Sequence, residues 1–393
     1  MAAQSGRTQH GFSLVELLVA MAVTTIVLGA ALLAFKKMTD AGAVVVQKVE
    51  MQASARVGIN SIVRDLTQAG AGGYPFGGIA LPTGNLPVSA CDTSGNCYLN
   101  PGTLTQDVLY GVYPFPNQGP TVEGTTMDGI SIVYVDQNLA STNIPPNGAF
   151  PSGQANWDTT ATANNAIDNS GTTLTLPNGL IPAVNDPVYG LKVGDVLWMN
   201  GQNGNAVGEV TNFTTGNPPT VTFAGGDPLR LNQPTTPPPF VAGAISSLAN
   251  QTTPVTLPLT YPPLIVQRIF IVTYFIQPVD ANNNPLAVAN WGAATDYRLM
   301  RQVNAQPAIV VAEHIVNLKF SYDLFDTVAN AQTSNVAAPA TAFNQIRNVY
   351  VAVTARTART PGALAANNNL NYSYATLYTE VSPRNLSFKN IYQ

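Results

Sequence analysis

Few residues in this sequence could carry imidazole or thiol chemistry, because His and Cys are both rare. The chain of 393 residues has two His and two Cys. His10 lies near the N-terminus, so His314, on a predicted strand after Glu313, is the only imidazole in the rest of the chain. Clustered His residues provide many catalytic and zinc sites. These counts, and the lack of any serine-hydrolase, P-loop, zinc-protease or dinucleotide motif, predict that the protein is not an enzyme.

The two cysteines form a second candidate site. Cys91 and Cys97 lie in the stretch ACDTSGNCY, which is rich in turn residues. Three readings remain open: a local disulfide, two free thiols, or a metal site that lacks further His or Cys ligands. If this part of the chain is exported to an oxidising compartment, the disulfide is favoured. Because the closed loop is short, its stabilisation should be near the lower end of about 2–4 kcal/mol.

Glu16 is the third candidate, because it is the only charge in an apolar run over residues 12–35. The run reads FSLVELLVAMAVTTIVLGAALLAF and exceeds the roughly 20 residues that span a bilayer. A carboxylate within hydrocarbon costs about 2.5–3.5 kcal/mol, so Glu16 either has a partner or extends to the membrane surface. A signal peptide would have a shorter apolar region. A simple anchor is also open, because Arg7 before the run and Lys36 after it leave its orientation ambiguous.

The stretch GFSLVELLVAM, at 11–21, resembles the leader and helix start of type IV prepilins and type II secretion pseudopilins. The resemblance implies that residues 1–11 are a leader peptide, which a prepilin peptidase cuts between Gly11 and Phe12. It also implies N-methylation of Phe12. Glu16 would then be the assembly carboxylate, paired with the N-terminal amine of a neighbouring subunit.

One long helix is predicted over residues 12–69. The segment contains no Pro, and Gly70 is a suitable C-terminal stop. Such a helix would be about 85 Å long at 1.5 Å per residue. Residues 12–35 form the transmembrane half, whereas residues 36–69 are amphipathic. At helical spacing, the following residues of this second half fall roughly on one apolar face: Val45, Val49, Ile59, Ile62, Val63 and Leu66.

The sequence after Gly70 changes to a strand-like period of two. Alternation predicts strands at 128–136, 194–200, 208–213, 268–277, 316–324, 347–357 and 374–381. The fold class is therefore α+β, with the long helix packed on a mostly antiparallel β-sheet head. We divide the head into a first β-rich part (70–170), a small inserted β module (171–235) and a C-terminal β-sheet part (236–393).

The sequence gives little support for the binding of a cofactor or of nucleic acid. Residues 92–96, 200–205 and 280–284 offer clustered oxygen atoms, but none has the spacing of an EF-hand. We expect turns and no cofactor, with calcium as the alternative. The net charge of −4 and the lack of a basic run predict no nucleic-acid partner.

The order of the body segments GLKVGDVLWMN, QRIFIVTYFI, AEHIVNLKFSYDLFD, IRNVYVAVTARTA and VSPRNL resembles minor pilins of the PilW family. This resemblance implies a subunit that acts in pilus assembly initiation or at the tip. Its partners would be the prepilin peptidase, other minor and major pilins, the inner-membrane assembly platform and the lipid bilayer. The head would lie in the periplasm before assembly and on the cell-surface pilus afterwards.

Two alternatives to the minor pilin remain open. One is a type II secretion minor pseudopilin of the J type, which is usually shorter. The other is a membrane-anchored surface adhesin whose 171–235 module binds carbohydrate or a surface.

Overall fold

The computed structural model describes fifteen ranges of the chain. They are 13–75, 77–81, 90–91, 97–99, 108–136, 154–155, 167–176, 183–188, 190–201, 203–232, 243–249, 264–339, 343–358, 372–383 and 385–386. The predicted cleavage residues Gly11 and Phe12 lie outside them. Two compact units are present, Met1–Gln52 with Thr357–Tyr374, and Ala53–Arg356 with Ala375–Gln393.

The N-terminal helix, α1, spans Leu14–Gln68. It is uninterrupted because it lacks Pro and because its internal threonines are satisfied within the helix. The hydroxyl of Thr24 donates to the carbonyl of Ala20 at 2.7 Å, and that of Thr25 donates to Met21 at 2.6 Å. Gly70, with φ of 69°, follows in the left-handed conformation that ends many helices. The long helix predicted from the sequence is confirmed.

The buried face of α1 begins later than the pattern predicts. Val45 and Val49 are 60% and 59% exposed, whereas buried positions recur every three or four residues from Met51 onward. They are Met51, Ala55, Ile59, Ile62, Leu66 and Ala69. Val45 and Val49, which the apolar pattern includes, are thus not among the buried positions. Periodicity identifies an apolar face, but it does not reveal how much of that face the rest of the chain covers.

The strands follow in chain order. They are β1 (Ile79–Ala80), β2 (Val108–Leu109), β3 (Val112–Phe115), β4 (Thr121–Val122), β5 (Thr125–Thr126), β6 (Gly129–Val135), β7 (Gln154–Ala155), β8 (Thr173–Thr175), β9 (Val196–Gly201), β10 (Gly204–Glu209), β11 (Asn212–Thr214), β12 (Thr220–Thr222), β13 (Leu264–Val279), β14 (Asp296–Val303), β15 (Ile309–Glu313), β16 (Ile315–Asp326), β17 (Ala331–Val336), β18 (Ile346–Arg356) and β19 (Tyr374–Val381). Short 3₁₀ helices occur at Ile245–Leu248, Val288–Ala293 and Phe343–Gln345.

The largest sheet is built around β13, and its main path is β10-β9-β13-β14-β15. Strand β6 also pairs with β13, and β3 pairs with β6. A second sheet has the order β17-β16-β18-β19. Every strand pairing described in these two sheets is antiparallel. A long helix followed by a mostly antiparallel β-rich head confirms the α+β prediction.

The 171–235 segment divides between two sheets. Strand β9 pairs with β13 in the large sheet, while β8, β12 and β11 form a three-stranded sheet. The strand predicted at 208–213 breaks where the chain passes between these sheets. Val210 N–H donates to Asp195 O at 2.8 Å, but Thr211 N–H donates to Thr222 O at 2.9 Å. Because successive amides have partners in different sheets, one continuous strand cannot form.

Candidate functional site

Glu16 lies in the first turn of α1 and has a hydrogen-bond partner within its own chain. Its Oε2 atom accepts a hydrogen bond from the backbone N–H of Ser13 at 3.0 Å. The hydroxyl of Ser13 in turn accepts one from the N–H of Val15 at 3.3 Å. This reciprocal arrangement resembles a capping box, which satisfies amides that have no partner at a helix start. Glu16 therefore stabilises its own helix, in addition to any role toward a second subunit.

The helix that carries Glu16 can cross a membrane by its length and composition. Its large apolar side chains are exposed from the first turn onward. Leu14 is 79% exposed and Ile26 is 73% exposed. In water, exposure of so much apolar surface would be strongly unfavourable, so a bilayer or other helices must cover it.

A buried carboxylate connects the C-terminal part of α1 to the large sheet. Asp65 is 1% exposed, and its Oδ2 atom accepts hydrogen bonds from Tyr274 Oη at 2.7 Å and Arg301 Nε at 2.6 Å. Tyr274 is on β13 and Arg301 is on β14. Burial, followed by the nearby Asp65 carboxylate, raises the pKa of Tyr274, so this phenol remains protonated and donates. The charge of Asp65 is thus paired with a cation that lies on a different element.

The carboxyl groups of Asp227 and of Glu209, the last residue of β10, lie close together. Glu209 and Asp227 are 2% and 5% exposed. Glu209 Oε2 accepts the N–H of Leu229 at 3.0 Å, and Asp227 accepts those of Leu231 at 2.7 Å and Asn232 at 3.0 Å. Burial is the largest cause, and Asp227 a further one, that raises the pKa of Glu209 to about 7. Protonation of Glu209 relieves its repulsion with the Asp227 carboxylate.

His314 lies between two strands, not within one as predicted. It separates β15 from β16 and has φ of 59°, so the chain turns at this residue. Its Nδ1 atom is 2.7 Å from Asp296 Oδ2, and this hydrogen bond raises the pKa of His314. The backbone N–H of Arg356 donates to the His314 carbonyl at 2.9 Å. His314 is therefore built into the junction of four strands, β14, β15, β16 and β18.

Cys91 and Cys97 are joined by a disulfide, with an S–S distance of 2.05 Å. The ring of Tyr98, which is fully buried, stacks on Phe275 with a centroid distance of 5.6 Å. The loop that the disulfide closes is thus attached to the large sheet beside the second cysteine. Formation of this disulfide in the cell remains a prediction.

The oxygen-rich loops differ in their surroundings. Asp280 accepts hydrogen bonds from the backbone N–H groups of Asn282 and Asn284, both at 2.8 Å, so its carboxylate closes a turn. Arg298 donates to the carbonyl of Asn283 at 3.3 Å, which places a cation beside this loop. Residues 92–96 lie outside the described ranges. Within those ranges, no group of three or more His, Cys, Asp or Glu could hold a metal ion.

Comparison with known protein families gives a match at the N-terminus. Residues 6–32 match the model of the prokaryotic N-terminal methylation motif. No curated protein matches the chain, and no solved structure matches it. The matched segment contains Gly11, Phe12 and Glu16, together with most of the predicted membrane span. It supports a type IV pilin-like or pseudopilin-like protein, and implies processing by a prepilin peptidase and association with other pilins.

Two features of the candidate sites were not anticipated from the sequence. The capping pattern Ser13-Leu14-Val15-Glu16 is readable as S-x-x-E, a known helix-start signal. The Asp65 cluster has no equivalent signal, because Asp65 and Arg301 are more than 200 residues apart in the chain. Only the fold brings them together.

Proposed function

We propose that this protein is a minor pilin of the PilW type, which acts in the initiation of pilus assembly or in the tip complex. The observation that carries the proposal is the methylation motif at 6–32, joined to a long apolar helix and a β-rich head. The role is one of assembly, not catalysis, and it uses no cofactor.

In the proposed mechanism, a prepilin peptidase cuts between Gly11 and Phe12 and the new N-terminus is methylated. The apolar half of α1 then remains in the inner membrane, with the head in the periplasm. During assembly, the Glu16 carboxylate pairs with the N-terminal amine of an adjacent subunit, which cancels two charges in an apolar surrounding. The hydrogen bond from Ser13 holds this carboxylate at the helix start beforehand.

The size of the head supports a position at the tip. The chain continues for more than 300 residues beyond α1. A head of this size is difficult to repeat inside a filament lattice but can be accommodated at its end. Immunogold labelling should therefore give single gold particles at filament ends. Regular labelling along the shaft would contradict the tip position.

Deletion of the gene in its own host tests the proposal against the main alternative, a type II secretion pseudopilin. A minor pilin predicts loss of surface filaments with normal release of secreted enzymes. Loss of secretion with intact filaments would instead establish the pseudopilin. If both remain intact while adhesion is lost, the protein is a membrane-anchored adhesin. Expression of the gene from a plasmid should restore the lost property in each case.

A further inference from the structure

A cavity lies on the outward face of the four-stranded sheet, far in sequence from the N-terminal motif. Its volume is about 730 Å³, which falls within the roughly 300–1,000 Å³ of small-molecule sites. Its floor is formed by three neighbouring strands, β16, β18 and β19. The floor side chains are Lys319, Ser321, Tyr350, Ala352, Tyr378 and Glu380.

Strand register arranges these six side chains in two rows across the sheet. Lys319 is the cross-strand partner of Ala352, and Ser321 is the partner of Tyr350. The hydroxyls of Thr354 and Thr376 lie 2.9 Å apart and fix the pairing of β18 with β19. In antiparallel strands, two residues back along β18 correspond to two residues forward along β19. Tyr378 therefore lies beside Ala352, and Glu380 lies beside Tyr350. A tyrosine therefore lies in each row.

The first row combines an open aromatic ring with a fixed hydrogen-bond donor. Tyr378 is 78% exposed, and its neighbour Ala352 is too small to cover it. At the other end of the row, Lys319 Nζ donates to Asn117 Oδ1 at 2.6 Å and to Asp128 Oδ1 at 2.8 Å. These two bonds hold the ammonium group in place, and its third N–H remains available to a ligand.

The second row provides acceptors. The Tyr350 hydroxyl donates to Asp323 Oδ2 at 2.9 Å, so this ring is held in position. Ser321 offers a hydroxyl, and Glu380, which also hydrogen-bonds with the Tyr350 side chain, offers its remaining carboxylate lone pairs on the edge strand β19. The cavity therefore combines aromatic surface with separated donors and acceptors.

We propose that this cavity binds a neutral saccharide. A pyranose ring has apolar C–H faces that stack on aromatic side chains, and hydroxyls that both donate and accept hydrogen bonds. Tyr378 would stack against the ring face, while Lys319 and Glu380 would bind hydroxyls at opposite ends.

The charges of the cavity exclude anionic ligands as the preferred class. Lys319 is the only cation among the lining side chains in the part of the chain that the structure describes, and it is already paired with Asp128; Glu380 would repel a phosphate or carboxylate. A peptide strand is also disfavoured. Both β16 and β18 are interior strands, so their backbone groups are used in the sheet and only their side chains face the cavity; the edge strand β19 leaves a backbone edge at one side of the floor.

The test uses the full-length protein, solubilised in a detergent without a sugar headgroup so that the detergent cannot compete. The labelled protein is applied to an array of neutral and anionic mono- and oligosaccharides, and the best neutral hit is titrated by calorimetry. We expect binding of at least one neutral saccharide, and at least a tenfold weakening by Tyr378→Ala. The matched control is Tyr374→Ala, a tyrosine on the same strand outside the cavity, which should change the affinity less than about twofold.

Three results would overturn the proposal. The first is that no neutral saccharide binds. The second is that Tyr378→Ala and Tyr374→Ala weaken binding equally, because the cavity would then not be the site. The third is that Tyr378→Ala changes which pilins co-purify while no saccharide binds, which would make this face a subunit interface. Since saccharide binding is measured on the unassembled protein, that measurement is independent of the proposed role in the pilus.

Discussion

At the scale of single residues, Glu16 combines a negative charge with a capping hydrogen bond. The hydrogen bond to Ser13 N–H is local to one chain, whereas the charge is what an incoming amine requires. Glutamine can also accept the capping hydrogen bond but carries no charge. The two contributions can therefore be separated by substitution.

We predict that Glu16→Gln and Glu16→Ala both lower the amount of this protein in sheared filaments by more than tenfold. The reason is that an unpaired amine in an apolar surrounding costs about 3–5 kcal/mol. Ser13→Ala removes only a cap, worth about 1 kcal/mol, and should have a smaller effect. Immunoblots of filament and membrane fractions give the comparison. Assembly of Glu16→Gln at the wild-type level would show that capping, not charge, is the important property.

The raised pKa of Glu209 predicts that the stability of the fold depends on pH. Its pKa is raised from the ordinary value of 4.5 to about 7, so the folded state holds the proton more tightly than the unfolded state. The contribution of Glu209 to the free energy of unfolding should therefore fall as the pH rises from about 4.5 to 7, and then level off. The total loss should be about 2 kcal/mol, allowing for partial solvent screening.

Urea unfolding between pH 5 and 8 tests this prediction. Glu209→Gln imitates the protonated carboxyl and should remove most of the decrease in stability. The control is Glu50→Gln, which changes an exposed carboxylate on α1 and should leave the pH dependence as in the wild type. Parallel pH profiles for Glu209→Gln and the wild type would contradict the assignment of the raised pKa to this residue.

At the scale of elements, Asp65 attaches the last turns of α1 to β13 and β14. Asp65→Ala would leave the Arg301 guanidinium without its carboxylate partner. Because the Asp65 side chain is only 2% exposed and that of Arg301 15%, we predict a loss of about 3 kcal/mol in the free energy of unfolding.

The neighbouring residue provides a matched control for this prediction. Arg64 has a 63% exposed side chain and lies 3.5 Å from Asp65. Arg64→Ala should cost less than about 0.5 kcal/mol, as exposed ion pairs do. Both variants are measured by urea unfolding at one pH. Equal losses for Asp65→Ala and Arg64→Ala would mean that the Arg301 pairing is not what stabilises this contact.

The elements also show what the sequence could predict. The bounds of α1 follow from local signals, namely the absence of Pro and the presence of Gly70. The alternation around 268–277 and 316–324 likewise predicted β13 and β16, which are longer than expected. By contrast, the break at Val210 and the turn at His314 depend on which distant strands supply hydrogen-bond partners. Local patterns do not contain that information.

At the scale of the whole molecule, the N-terminal motif and the head carry different kinds of information. The motif identified Gly11, Phe12 and Glu16 by residue type and spacing, and it supports a pilin-type protein. The candidate cavity has no motif in the sequence that could have identified it, because its floor side chains come from three strands between Lys319 and Glu380. Alternation in each strand shows which side chains share a face, but the pairing of the strands decides which of them meet.

Proteolytic processing is the central claim, and mass spectrometry of the protein from its own host's membranes tests it most directly. The account predicts an intact mass without residues 1–11 and an N-terminal peptide that begins with N-methylated Phe12. The same protein made in a host without a prepilin peptidase should retain the leader. If the chain keeps residues 1–11 in a host with an active prepilin peptidase, the account is contradicted, and α1 is an ordinary membrane anchor.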